Sequence, residues 1–230
     1  MRARGRRWIV TRPRSMFVLA AVGAALIVFA VLGARDGTAS EPEQAVFGAV
    51  NGLPDWLRWP MWIFQLAGLI GLPFVVAAVA LLLRRWRLAV ACVLAALIKL
   101  YVEQPLFKDN IDRQRPGRTE PDPILRDVPA SGASFPSGHA VVAFTLATLI
   151  SPYLPGRWKA VVWGIAVLNS TARVYLGAHN PLDVVAGAGA GLIIGAVLTL
   201  VLGVQNRRPA ADVDARAADQ RSVQAPGESA

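Results

Sequence analysis

Residues 134–145 read SFPSGHAVVAFT, a polar Pro-Ser-Gly-His turn set directly against an apolar run. The chain contains two histidines, His139 in this stretch and His179 in ARVYLGAHNPLDVV (172–185). Each lies where a hydrophobic segment begins or ends. Two rare side chains at matching boundaries form one site if the fold brings those boundaries to the same end of the molecule.

The composition says what kind of fold that is. Of 230 residues, 54% are hydrophobic and 17% charged, and the mean hydropathy is +0.44. Soluble domains carry nearer a quarter charged residues, and here the apolar residues are segregated into long runs, as in a membrane protein. The net charge of +9 raises the question of nucleic acid. No compact basic face with interleaved aromatics supports that partner. The arginines instead cluster at the edges of apolar runs, where membrane topology needs them. The single cysteine, Cys92, lies within an apolar run, so no intrachain disulfide is possible and the redox compartment stays open.

Six apolar segments stand out: Met16–Ala34, Pro60–Leu83, Leu88–Val102, Gly138–Leu154, Ala160–Leu176 and Asp183–Val204. At ~1.5 Å per residue, about 20 residues cross a hydrocarbon core of about 30 Å. The third and fourth segments are short for this and must borrow residues from their flanks. Lipid offers the backbone no hydrogen bonds, so the expected class is all-α, an integral membrane six-helix bundle. The first segment has the basic leader of a signal peptide, but it is long and lacks a small-x-small cleavage site, so it reads as an anchor.

Arg2, Arg4, Arg6, Arg7, Arg12 and Arg14 precede the first segment without an acid among them. RRWR (84–87), GRWK (156–159) and NRRP (206–209) fall on the same side. By the positive-inside rule that side is cytoplasmic, together with both termini. The opposite side receives loops at about 35–59, about 103–137 and HNPL (179–182), so both histidines face outward. The expected layout is a basic cytoplasmic N-terminus (1–15), a membrane domain (16–204) and a disordered cytoplasmic tail (205–230). Trp56, Trp59 and Trp62 suit an aromatic belt at the outer interface. EQAVFGAVNGL (43–53) reads as a short interfacial helix or as a loop. Gly187, Gly191 and Gly195 give the last helix one small face for close packing. The Gly/Pro-broken helices that transporters use are not evident in these segments.

Three outer segments carry ionisable chemistry. KDNIDRQRP holds Lys108 and Arg115, PSGH opens the fourth helix, and Arg173, His179 and Asp183 surround the end of the fifth. Fixed cations and backbone N–H groups are what a transferring phosphoryl group requires. Ser137–Gly138 at a helix start offers N–H groups and a positive dipole end. His179 and Asp183 are four residues apart, so one helical turn can set the carboxylate against the imidazole. A carboxylate on one ring nitrogen fixes the tautomer and leaves the other nucleophilic. His139 is then available to protonate a leaving oxygen. Arg113, Arg118 and Arg126 read as solvated loop charges, and Lys99 and Glu103 as a mutually neutralising pair.

These segments resemble the three signature motifs of the type 2 phosphatidic acid phosphatase superfamily. Its K-x6-R-P is matched by Lys108, Arg115 and Pro116, and its P-S-G-H by Pro136, Ser137, Gly138 and His139. Its S-R-x5-H-x3-D is matched by Arg173, His179 and Asp183, with Ala172 in the place of the usual Ser. The resemblance implies a metal-independent phosphatase without cofactor, forming a phosphohistidine on His179. Asp183 would orient that ring, and His139 would act as acid and then as base. Lys108, Arg115, Ser137, Gly138 and Arg173 would bind phosphate. The implied substrate is a lipid phosphate or diphosphate in the bilayer, polyprenyl diphosphate first, with phosphatidylglycerophosphate, phosphatidate or another polyprenyl-linked phosphate as alternatives. A membrane transporter is the rival of another class, and a vanadate-dependent haloperoxidase the rival within the superfamily.

Overall fold

The computed structural model describes residues 6–103 and 111–209. Lys108 and residues 210–230 of the expected tail lie outside the described residues. All six apolar segments are helical. The first is α1 (Ser15–Ala34), and the acidic stretch after it forms α2 (Glu41–Asn51), which resolves the choice between helix and loop in favour of helix. Glu41 and Glu43 lie in the first turn of α2, where carboxylates complement the helix dipole.

The second segment is not one straight helix. It runs as α3 (Arg58–Gln65), a 3-10 turn (Leu66–Gly68) and α4 (Leu72–Leu82), with a 65° bend between the two halves. Leu69 is extended (φ −66°, ψ 137°), and Pro73 enters the first turn of α4, where a missing N–H costs no hydrogen bond. Asn169 on a neighbouring helix donates to the Phe64 and Gln65 carbonyls at 3.1 and 3.0 Å, serving groups at the break. Broken helices survive in lipid where a neighbour supplies such partners. The expectation of unbroken spans is therefore corrected here.

The chain continues through α5 (Trp86–Glu103), a four-residue helix α6 (Pro116–Thr119), α7 (Gly138–Ile150), α8 (Gly156–Tyr175) and α9 (Pro181–Leu202). Among the described residues, α1 and α9 are each long and apolar enough to cross a membrane, and α3 with α4 makes a third crossing if the bent pair counts as one. Phe17, Val18, Phe29 and Leu32 on α1 remain exposed, an apolar surface with no protein partner among the described residues. Trp56 and Trp59 are likewise exposed.

α9 is the central helix, packed chiefly against α1 and α7. Its small face makes this possible. A Cβ at Gly187 would stand 2.5 Å from the Ser137 carbonyl oxygen, and one at Gly191 2.6 Å from that of Val141. The expected use of these glycines for close packing holds, with α7 as the partner.

Residues Arg6–Thr11 (β1) and Val204–Pro209 (β2) pair as a two-stranded antiparallel ribbon, with Trp8 opposite Arg207 and Val10 opposite Gln205. The start of the expected disordered tail is thus ordered by pairing with the N-terminal arm. The alternation in WIVT suits a strand, but its partner lies about a whole chain away.

Candidate active site

Three connections bring the motif residues to one end of the bundle. The first is the turn after α8. Gly177 has φ +77°, a conformation that glycine adopts without strain, and it folds the chain back on α8. The Ala178 and His179 N–H groups then donate to the Arg173 carbonyl at 3.0 and 3.3 Å. This turn is why Arg173 and His179, six positions apart, occupy one place.

The second connection is the start of α9. Asn180 precedes Pro181, and the Asp183 Oδ2 atom accepts the Asn180 backbone N–H at 2.9 Å. That bond holds the carboxylate beside the loop, and Oδ2 lies 3.5 Å from His179 Nδ1, an electrostatic contact longer than a hydrogen bond. The expected pairing is therefore present but has a different cause. His179 lies in the loop before α9 rather than one turn along the same helix, and the capping geometry does the aligning.

The third connection ties the long outer loop to this turn. Arg115 Nη1 donates to the Ala178 carbonyl at 2.7 Å, beside His179. Asn180 Nδ2 donates to Thr119 Oγ1 at 3.0 Å, and Pro116 is buried beneath. Arg113 and Arg126, expected to be solvated, are both buried. Arg126 donates to the Tyr175 and Asn51 carbonyls at 2.6 and 2.9 Å and lies over the Tyr175 ring, pinning the loop to α2 and α8. Arg113 is wholly buried between Glu43 and Asp183. Arg118 is exposed, as expected.

Just before α7, the Ser137 N–H donates to the Asp183 backbone carbonyl at 2.9 Å. It is not open to a ligand, which corrects the expectation that both Ser137 and Gly138 present free N–H groups. The Gly138, His139 and Ala140 N–H groups occupy the first turn, where helix geometry provides no acceptor. The Ser137 hydroxyl is buried and, among the described residues, without a hydrogen-bond partner. Arg173, itself buried, donates from Nη1 to Gln65 Oε1 at the break between α3 and α4. Arg173, His179, Lys99 and Arg115 are all close enough to act electrostatically on His139. The expected partner of Lys99, Glu103, has a side chain outside the described residues.

His179 is only 4% exposed, and burial pushes its imidazole pKa down to about 4, with Asp183 opposing and Arg173 and Arg115 reinforcing the shift. At neutral pH the ring is uncharged, the form that can act as a nucleophile. A buried neutral imidazole beside a carboxylate, flanked by two guanidinium groups and an open helix start, can accept a phosphoryl group and stabilise its oxygens. Among the described residues, no group of three or more His, Cys, Asp or Glu side chains is placed to hold a metal ion.

Glu43, Arg113, Gln65 and Gly68 were not read as site residues from the sequence. Arg113 stands two residues before Arg115 in the same motif, and Gly68 belongs to a GLIGLP run (68–73) whose breakers signal a bend. Nothing local marks Glu43 or Gln65.

The chain is similar to known proteins. The chain is 32% identical over 148 residues to a lipid A 4'-phosphatase of Bacteroides thetaiotaomicron, covering 56% of this chain and 64% of that one. It is 47% identical over 55 residues to an undecaprenyl-diphosphatase of Sulfolobus acidocaldarius, covering 24% of this chain and 26% of that one. The chain thus spans less than two thirds of the length of these relatives. Among solved structures, Aquifex aeolicus LpxE superposes with a TM-score of 0.57 at 26% identity, over 67% of this chain and 92% of that one. The PAP2-type phosphatidylglycerolphosphate phosphatase of Bacillus subtilis gives 0.55 at 25% identity, over 82% and 94%. The family model of the PAP2 superfamily matches residues 84–207, a span that holds all three motifs and both histidines, and on that match the chain belongs to the PAP2 superfamily.

Proposed function

We propose that the chain is an integral membrane phosphatase that hydrolyses a lipid phosphate or diphosphate through a phosphohistidine on His179. The observation that carries this reading is the convergence on one buried, uncharged imidazole of Asp183 at 3.5 Å, Arg173 through the Gly177 turn, and Arg115 through the Ala178 carbonyl.

His179 Nε2 attacks phosphorus and the bond to the leaving oxygen breaks. His139 gives that oxygen a proton, then takes one from the water that attacks the phosphohistidine and frees phosphate. Asp183 faces Nδ1 and offsets the charge that the ring acquires. Arg115, Arg173, the Ser137 hydroxyl and the Gly138 N–H bind the phosphoryl oxygens, joined by Lys108. Ala172 in the usual Ser position is buried against Met61, so that position contributes packing rather than a hydroxyl. The six apolar segments support six crossings, and the Lys/Arg asymmetry with the exposed tryptophans supports cytoplasmic termini and an extracytoplasmic site.

The substrate proposed first is a polyprenyl diphosphate. A cavity of about 270 Å³ between α2, α7, α8 and α9 supports a single apolar chain as the tail. Its walls include Val46, Val50, Phe144, Val174 and Val184, and the last two adjoin Arg173 and Asp183 in the sequence. A tail in this cavity would leave its phosphate at the site. Phosphatidylglycerophosphate, phosphatidate and lipid A are the alternatives, in keeping with the names of the relatives.

The test is phosphate release by purified protein from polyprenyl diphosphate, polyprenyl phosphate, phosphatidate and phosphatidylglycerophosphate, each with and without EDTA. Release that is fastest from polyprenyl diphosphate and indifferent to EDTA supports the reading. Absence of release from every lipid favours a transporter, and a strict requirement for a divalent metal contradicts the mechanism.

A further inference from the structure

The Asp183 carboxylate has two oxygens with different surroundings. Oδ2 accepts the Asn180 N–H at 2.9 Å and faces His179. Among the described residues Oδ1 has no hydrogen-bond partner, and Arg113 Nη1 stands 3.5 Å from it. Arg113 is 0% exposed, although it belongs to a loop. Its other prong, Nη2, donates to Glu43 Oε2 at 2.5 Å and to the Thr38 carbonyl at 3.2 Å. Glu43, also buried, uses its second oxygen to accept the Leu182 N–H at 2.9 Å.

We propose that Arg113 and Glu43 are positioning residues for phosphoryl transfer, holding the Asp183 carboxylate in line with the His179 ring. This rests on the reading of His179 and Asp183 given above. The contacts close on themselves: Asp183 to Arg113, Arg113 to Glu43, Glu43 to Leu182, and Leu182 to its neighbour Asp183. Glu43 therefore grips both the guanidinium and the helix turn that carries the carboxylate.

The two acids divide the guanidinium between them. An Arg–Asp pair left alone tends to close into a two-pronged contact, which would turn the Asp183 carboxylate away from the imidazole. With Nη2 committed to Glu43, one prong is left for Oδ1, and Oδ2 stays on the His179 side. Two carboxylates sharing one guanidinium also leave a net negative charge beside the ring, which suits a ring that becomes cationic on phosphorylation. A lysine supplies a point charge without the fork and cannot face both carboxylates in this way.

The experiment is a pair of double-mutant cycles on the full chain in detergent, with p-nitrophenyl phosphate and one lipid phosphate as substrates. The proteins are wild type, Asp183→Asn, Arg113→Lys, Glu43→Gln, and each of the last two combined with Asp183→Asn. Arg113→Lys and Glu43→Gln should each lower kcat by about 10–100-fold, as loss of an orienting partner does, with little change in KM. In the Asp183→Asn background the same substitutions should cost almost nothing more, because the group they position has already lost its charge. Thermal midpoints of all six proteins report the contribution to folding separately. Full losses on top of Asp183→Asn, or losses confined to KM, would mean that Arg113 and Glu43 only brace the loop. Wild-type kcat in Glu43→Gln would overturn the role of Glu43 even if Arg113→Lys fails to fold. Wild-type kcat in Asp183→Asn would remove the underlying reading as well, whereas a slow Asp183→Asn with additive doubles would remove this inference alone.

Discussion

Gly68 lies directly against His139: a Cβ added to Gly68 would stand 2.5 Å from the His139 Cβ and 2.6 Å from its Cα. The break between α3 and α4 is therefore part of the candidate active site. It seats His139 through Gly68, and through Gln65 it supplies the acceptor for Arg173. Gly68→Ala should displace His139 and lower kcat, with a stability loss of about 1–3 kcal/mol from overpacking. Gly71→Ala, three residues on and with open space around its Cβ position, should leave kcat unchanged. Assays of the two variants side by side, with their thermal midpoints, check this. Equal activity in both would detach the break from catalysis.

The two histidines should respond differently to the leaving group. General acid catalysis is worth about 10²–10⁴-fold, and an aryl phosphate needs less of it than an alkyl lipid phosphate. His139→Ala should retain relatively more activity on the aryl substrate. His179→Ala should lose both activities, because the nucleophile is gone. Asp183→Asn should slow both with little change in their ratio. Aryl rescue of His179→Ala and not of His139→Ala would reverse the roles.

The pH dependence follows from burial. His179 has its pKa lowered to about 4, mainly by desolvation, so its nucleophilic neutral form persists well below the usual histidine range. The acid limb of kcat/KM assigned to this group should lie near pH 4 rather than near 6.5. The linkage to stability has the same direction. The unfolded chain takes up the proton first, so this part of the folding free energy is present above pH 6.5 and is lost as pH falls toward 4. An acid limb at pH 6.5 that disappears in a His179 variant would show an exposed ring instead.

Glu120 titrates in the opposite sense. It is 8% exposed, and burial, together with the nearby Glu43 and against the pull of Arg113, raises its pKa to about 7. Its ionisation opposes folding, so stability should fall as pH rises from about 4.5 through 7. Glu120→Gln should raise Tm at pH 8 and change it little at pH 5. A larger gain at pH 5 than at pH 8 would contradict the assigned shift.

The residues of the candidate site are more legible in the sequence than their mechanical support. Lys108, Arg115, the PSGH turn, Arg173, His179 and Asp183 are recognisable because residue type and local spacing carry the signal. The six apolar segments were equally visible, and all of them are helical. The bend at Gly68 was hidden inside a continuous apolar run, although the breakers Gly68, Gly71 and Pro73 stood in it. Arg113 was misread for a different reason. An arginine in a polar loop is solvated unless acids enclose it, and its acids come from α2 and α9, 70 residues before and 70 after. No local pattern reports such a meeting. The same holds for the β1–β2 ribbon, whose strands lie near opposite ends of the chain.

The phosphoryl-enzyme is the most direct measurement. Full-length protein is exposed briefly to a 32P-labelled lipid phosphate and denatured in alkali, because acid destroys phosphohistidine. The label should be found on His179 in the wild type and should be absent from His179→Ala. Label on another side chain, or undiminished label in His179→Ala, would contradict the assignment of His179 as the nucleophile.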